Sequence, residues 1–330
     1  MKRQQQLTAW LHSLFPDTAF DLTPASADAS FRRYFRATFS DRSLIVMDAP
    51  PEQEDCRPFI HVAQLFGAAG VHVPQVLAQD LAQGFLLLSD LGNMTYLQAL
   101  TASNARGLYS AATEALIAIQ LASRKDELPP YDEALLLREM RLFPEWYVAK
   151  HLQTTLDEKQ STTLESIFQR IIQNNLAQPQ VYVHRDYHSR NLMVTEPSPG
   201  ILDFQDAVYG PITYDLASLF KDAYIRWEEA EVLDWLISYW EKARKAGLPV
   251  HADFADFYRD YEWMGVQRHL KVLGIFARLS HRDGKDGYLK DLPLVMDYLR
   301  KACERYIDLK PLLRLLDVLE KNQPAWGLSF

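Results

Sequence analysis

The sequence predicts an α+β chain in two lobes, a small mixed α/β lobe over residues 1–89 and a larger, mainly helical lobe over residues 90–330. Three observations carry this. The first ninety residues hold short aromatic or β-branched runs of strand length, at Phe31–Phe39, Leu44–Met47 and Phe85–Leu88. Beyond residue 93 the apolar spacing becomes that of amphipathic helices. One strand-turn-strand pattern, over residues 181–204, interrupts the helical part.

Taken in order, Phe31–Phe39 is partly alternating, and Phe85–Leu88 is bounded by Gly84 and by Ser89-Asp90. Between these runs Arg57–Ala69 carries Phe59, Val62, Ala63, Leu65 and Phe66 at helical spacing, with Gly70 as its stop and Pro74 beyond. Ala105–Ser123 places Leu108, Ala112, Ala115, Leu116 and Ile119 on one helical face, and Leu164, Ile167, Phe168, Ile171 and Ile172 form a second stripe. From Glu228 onward the pattern is helical, broken at Gly247-Leu248-Pro249, at Asp283–Gly287 and near Pro311. Val181–Val183 reads as a strand. Residues 191–194 and 201–204 read as hairpin arms around Thr195–Gly200, which is dense in turn residues. If Val194 faces Ile201, then Leu192 faces Asp203 and Asn191 faces Phe204, and an amide and a carboxylate meet at the open end.

With 35 Lys+Arg against 43 Asp+Glu the net charge is −8, which argues against non-specific nucleic-acid binding. At 48% hydrophobic and 24% charged residues the chain is an ordinary globular one, not a disordered, collagen-like or disulfide-framed one. Cys56 and Cys303 stand far apart and read as idle thiols in a reducing compartment. The start, MKRQQQLTAWLHSLFPD, has no apolar core of a signal peptide, and no apolar run approaches membrane length. A cytoplasmic location is expected, with no membrane, nucleic-acid or protein partner implied.

The chemistry is concentrated in His184-Arg185-Asp186-Tyr187-His188-Ser189-Arg190-Asn191 and in Asp203-Phe204 on the return strand. A carboxylate five residues before an amide, in a loop leading into a hairpin that returns a second carboxylate, suits phosphoryl transfer. Asp186 would orient an attacking hydroxyl and accept its proton, while Asn191 and Asp203 would hold Mg²⁺ against phosphate oxygens. A lone D-x-x-x-x-N is better read as turn chemistry. The hairpin, His184 and Asp203 tip the reading the other way. HRDYHSRNLMV and ILDFQD resemble the catalytic and metal loops of protein-kinase-like enzymes. With His188 and the downstream Gly210-Pro211-x-x-Tyr214-Asp215-Leu216-Ala217, the chain is identified as a member of the aminoglycoside-phosphotransferase-like branch. The resemblance implies a two-lobed protein-kinase-like fold, ATP as phosphoryl donor, Mg²⁺, and support of the catalytic loop by Asp215. His184 reads as structural, bonding loop backbone. His188 is either a partly buried loop residue or a contact to phosphate or substrate, and Asp206 either assists the metal or makes a turn.

The nucleotide side departs from the family pattern. The turn expected to cover the phosphates, Ser26–Ser30, has no glycine, although Ser30 offers a hydroxyl. The strand Leu44-Ile45-Val46 leads to Met47-Asp48 where a lysine is usual, so Arg32 or Arg33 is expected to supply the missing charge, the alternative being solvated strand arginines. Phe85–Leu91, with Leu88 and Asp90, fits the adenine-binding hinge.

The stretches 28–36, 47–55, 84–92, 136–147 and 202–219 further resemble the kinases of peptidoglycan recycling that phosphorylate the anomeric hydroxyl of N-acetylmuramate and N-acetylglucosamine. That implies a small sugar as acceptor, for which Glu139, Trp146 and Arg268 are candidates, with Arg268 or Lys271 as partner of the N-acetylmuramate carboxylate. The alternative for each is a core residue or a solvated charge. Rival readings are another small-molecule hydroxyl kinase of aminoglycoside, choline or homoserine type, and a nucleotide-binding pseudokinase. Protein kinase activity is disfavoured by the short stretch between Asp203 and Gly210-Pro211.

Overall fold

The structure is a computed structural model that describes residues 2–27 and 31–321. Ser30, and with it the tip of the expected phosphate turn, lies outside the described residues. The chain opens with α1 (Lys2–Leu14), β1 (Asp21–Ala27), β2 (Arg33–Thr38), β3 (Ser43–Asp48), α2 (Arg57–Ala68), β4 (Val76–Asp80), β5 (Phe85–Ser89) and α3 (Tyr96–Ala99). Next come α4 (Ala105–Leu121), α5 (Glu133–Met140), a π-helix (Phe143–His151) and α6 (Glu158–Leu176). Then follow β6 (Gln180–Val183), β7 (Leu192–Met193), β8 (Gly200–Ile201), β9 (Val208–Pro211) and α7 (Tyr214–Phe220). The chain ends in α8 (Glu229–Lys245), α9 (Phe254–Asp283), α10 (Leu292–Arg305) and α11 (Lys310–Lys321). No described helix is long and apolar enough to cross a membrane.

The chain forms two compact units. The first comprises residues 1–99 with 191–206, the second 100–190 with 207–330. The division is expected after residue 89, at the end of β5, whereas the first unit runs on through Ala99, and residues 191–206 join it although they are remote from it in sequence.

In the first unit β1–β2–β3–β5–β4 form an antiparallel sheet. Alternate residues face one core, with Phe35 and Ala37, Leu44 and Val46, and Phe85 and Leu87 packing against Leu7 and Leu11 of α1. The α2 stripe Phe59, Val62, Ala63 and Phe66 is buried, and Phe59 meets the Phe204 ring at 4.8 Å. The hairpin differs from the expected register. Leu192 faces Ile201 and Met193 faces Gly200, a shift of two residues. The cause is competition for backbone partners, because the Val194 amide donates to the Met94 carbonyl and the Ile201 amide to the His72 carbonyl. Asn191 and Asp203 still end together, since the Leu202 amide donates to the Asn191 carbonyl at 2.9 Å.

In the second unit the long helix α9 is buried continuously from Tyr261 to Gly274. A helix apolar on one face only would be half-wet, so the buried Glu262, Gln267, Arg268, His269 and Lys271 must find partners inside the protein. The π-helix packs along α9 at Gly274, where a Cβ would collide with the Leu142 backbone. The break expected near Pro311 lies earlier, at Tyr306. Pro311 sits in the first turn of α11, where its missing N–H costs nothing.

Candidate active site

In the second unit β6 pairs with β9 and ends at Val183, releasing the loop His184–Arg190. Two buried carboxylates brace this loop. Asp215, at the start of α7, accepts the His184 amide at 2.7 Å and the Arg185 amide at 3.0 Å. Asp222, just beyond α7, accepts both the amide and the hydroxyl of Ser189, at 2.9 and 2.5 Å. His184 is fully buried, and its Nδ1 accepts the Asp186 amide at 3.2 Å, which places its ring proton on Nε2. Tyr187 anchors the loop to the Ala112 carbonyl. Arg185 holds a left-handed backbone, φ 76°, a conformation that a non-glycine residue keeps only when its surroundings enforce it. Arg268 contributes by donating to the Arg185 carbonyl at 2.9 Å.

Asp186 therefore sits on a fixed backbone with cations around it. Arg268 Nη1 is 3.7 Å from its carboxylate. Burial alone would raise the Asp186 carboxyl, but Lys271 and then Arg268 outweigh it and hold it well below the usual carboxylate range. Lys271 donates to the Tyr214 hydroxyl at 3.0 Å and lies 3.1 Å from Glu139. Glu139 is only 5% exposed and also takes hydrogen bonds from Arg185 at 2.5 Å, Gln267 at 3.1 Å and the Tyr131 hydroxyl. Desolvation opposes its ionisation, yet Lys271 and Arg185 pull its carboxyl down to about 2. Asp215 behaves differently. Burial pushes it up to about 7 despite its two amide hydrogen bonds. His188 is pushed down, towards its neutral form, by burial. Trp146 is half-buried on the π-helix.

In the first unit Asn191 Nδ2 lies 3.4 Å from Asp203 Oδ2. Asp203 has a left-handed φ of 61°. Its other oxygen accepts from Gln205 at 2.9 Å and faces Arg32 at 4.0 Å. A carboxylate beside a side-chain amide is a donor set suited to a hard divalent cation that takes its remaining oxygens from phosphate and water. Among the described residues no three His, Cys, Asp or Glu side chains converge as a self-sufficient metal cage. Arg33 pairs with the fully buried Asp48 of β3, which also holds Arg3. Leu88 is buried in β5 between β3 and β4. Asp90 grips Arg36 through both oxygens, at 2.6 and 3.0 Å.

Residues 21–255 match the phosphotransferase enzyme family. The chain belongs to that family. The phosphotransferase is 52% identical, over 98% of each chain, to a Pseudomonas putida protein curated as N-acetylmuramate/N-acetylglucosamine kinase. It is 53% identical over the full length of a Neisseria meningitidis protein of the same name, and 31% identical to one from Caulobacter vibrioides over 82% of this chain and 85% of that one. A choline/ethanolamine kinase family protein from Mesorhizobium loti shares its fold with TM-score 0.64 at 14% identity, over 96% of this chain and 99% of that one. An ADP-bound aminoglycoside phosphotransferase does so with TM-score 0.57 at 14% identity, over 89% and 97%. The protein-kinase-like fold of the phosphotransferase is thereby established.

Sequence reasoning missed Asp222, Gln205 and Tyr131. Asp222 had a signal only as a second carboxylate a few residues after Asp215. Gln205 and Tyr131 had none.

Proposed function

We infer that the protein is an ATP- and Mg²⁺-dependent sugar kinase that phosphorylates the anomeric hydroxyl of N-acetylmuramate and N-acetylglucosamine. The observation that carries the sugar reading is the 52–53% identity along the whole chain to proteins curated for those two substrates. What supports the reaction type is the fixed, ionised Asp186. An ionised carboxylate accepts a hydrogen bond from the sugar O–H and aligns its oxygen for attack. The new bond joins that oxygen to the γ-phosphorus, the bridging bond to ADP breaks, and the hydroxyl proton passes to Asp186 or to water. Because Lys271 and Arg268 make Asp186 a weak base, orientation is its main contribution, as expected for a loose transition state in which the proton leaves late. When bound, Mg²⁺ would neutralise phosphate charge, and Asn191 and Asp203 are the residues that would hold it.

Arg32, facing Asp203, is assigned to the phosphates in place of the strand lysine. Arg33 is assigned to the fold. Leu88 lines the adenine hinge, while Asp90 steadies it through Arg36. His184, Asp215 and Arg268 position the loop. Glu139 orders Arg185 and Lys271 behind the loop, and Trp146 remains a candidate wall of the sugar pocket.

The test is an ADP-release assay over amino sugars, aminoglycosides and small alcohols. Turnover should require one of the two N-acetyl sugars and yield an acid-labile glycosyl phosphate. Asp186→Asn should keep the fold and nucleotide binding while losing at least about a hundredfold in kcat, and Asp203→Ala should chiefly weaken Mg²⁺-nucleotide binding. Ordinary turnover by both variants, or preference for an aminoglycoside, would sink the assignment.

A further inference from the structure

N-acetylmuramate differs from N-acetylglucosamine by a lactyl ether that carries a carboxylate, for which a cation is a natural partner. Three cations around Asp186 are already committed. Arg185 is bound to Glu139, Lys271 to Glu139 and Tyr214, and Arg268, 4% exposed, to the Arg185 carbonyl and Tyr214. Arg190 is different. Its guanidinium lies over the Tyr224 ring, 3.6 Å from the centroid, and 5.7 Å from that of Tyr288. Stacking engages the faces of the planar group and leaves the N–H donors along its edge. Among the described residues none of those donors has an acceptor. Asp291 feels the charge of Arg190, but no ion pair joins them. The side chain is partly exposed.

We infer that Arg190, oriented by Tyr224 and Tyr288, is the receptor for the acceptor's lactyl carboxylate; this rests on the sugar-kinase reading above. Its edge offers the two parallel donors that a carboxylate takes bidentately. The cluster leads back to the reacting group within the same unit. The His188 ring meets Tyr224 at 5.4 Å, and the charge of Asp186 acts on His188. His188 Nδ1 is buried without a hydrogen-bond partner, a second polar atom left for a ligand hydroxyl. An arginine edge would also take a phosphate oxygen. The carboxylate is favoured because Arg32 already serves the phosphates in the reading above.

The experiment compares kcat/KM for N-acetylmuramate, its methyl ester and N-acetylglucosamine in the wild-type protein and in Arg190→Gln. In the wild type, esterification should cost about tenfold or more. Arg190→Gln should lose at least about tenfold more on N-acetylmuramate than on N-acetylglucosamine and treat acid and ester alike. Equal losses on both sugars overturn the inference, as does a wild type indifferent to esterification. A higher nucleotide KM with both sugars would make phosphate the anion and overturn it too. If Arg190→Gln does not fold, Tyr288→Leu should still shrink the acid-to-ester ratio, and an unchanged ratio rejects the role. A wild type that uses neither sugar removes the sugar-kinase reading itself.

Discussion

Arg32 and Arg33 are neighbours in sequence with opposite surroundings, and the difference decides their roles. Arg33 neutralises a fully buried carboxylate together with Arg3, whereas Arg32 faces Asp203. Arg32→Ala should therefore raise the nucleotide KM about tenfold, while Arg33→Ala should mainly lower the melting temperature. Steady-state kinetics beside thermal melts distinguish them, and the reverse pattern would reject the assignment. Glu139 is likewise a matter of buried charge. Glu139→Gln leaves Arg185 and Lys271 short of a counter-charge and should cost about 3 kcal/mol or more at neutral pH. The folded carboxyl is held near 2, below its ordinary 4.5, so the contribution is complete above about pH 4.5 and fades as pH falls towards 2. Urea unfolding of the two proteins should thus converge on acidification. A constant difference across pH would mean the loss is one of packing, not charge. Lys271→Met removes the strongest pull on Asp186, so its carboxyl rises and the acid limb of kcat/KM moves to higher pH. A uniform drop without that movement would leave Lys271 a purely structural part.

Elements whose period is local were readable from the sequence. Arg57–Ala68 and Ala105–Leu121 lie where their apolar stripes put them, because each stripe buries one face against a core. The hairpin was readable as a hairpin, and the pairing of Asn191 with Asp203 survived the register error. The register itself was not readable, since it depends on His72 and Met94, which lie far earlier in the chain. The π-helix over Phe143–His151 was invisible for a related reason. Its one-residue widening answers packing against α9, not a pattern of its own. Within the candidate site, the loop residues were singled out from spacing, but the network behind them was not legible, because Tyr131, Glu139 of α5, and Gln267 and Lys271 of α9 are brought together from three distant parts of the chain and share no motif. Gly274 tests the packing. Its replacement by Ala would drive a methyl group into the Leu142 backbone, which cannot swing aside as a side-chain tip can. A loss of about 1–3 kcal/mol in unfolding free energy is expected. A neutral effect would show that the π-helix has slack against α9.

At the scale of the molecule, the chain crosses between its two units inside the segment proposed to be catalytic, after Arg190 and again after Asp206. Asp186 is therefore fixed by the helical unit, through amides bonded to Asp215 and Asp222, whereas Asn191 and Asp203 are fixed by the sheet unit, through amides bonded to Met94 and His72. Each half is ordered by its own core, so each should share the local stability of the unit that holds it. Native-state hydrogen exchange can read this directly. The amides of His184, Arg185 and Ser189 should exchange with the slow amides of the helical unit, and those of Val194, Ile201 and Leu202 with those of β3 and β5. Mild denaturant should separate the two groups, with the change in protection falling at Arg190–Asn191 and returning at Asp206–Ala207. The Leu7→Ala substitution in α1 sharpens the test, because Leu7 belongs only to the core of the sheet unit. It should loosen 191–206 and leave 184–190 protected. If residues 184–206 instead exchange as one block in both proteins, the Asp186 loop and the Asn191–Asp203 hairpin form a single cooperative piece, and the division of labour between the two units is wrong.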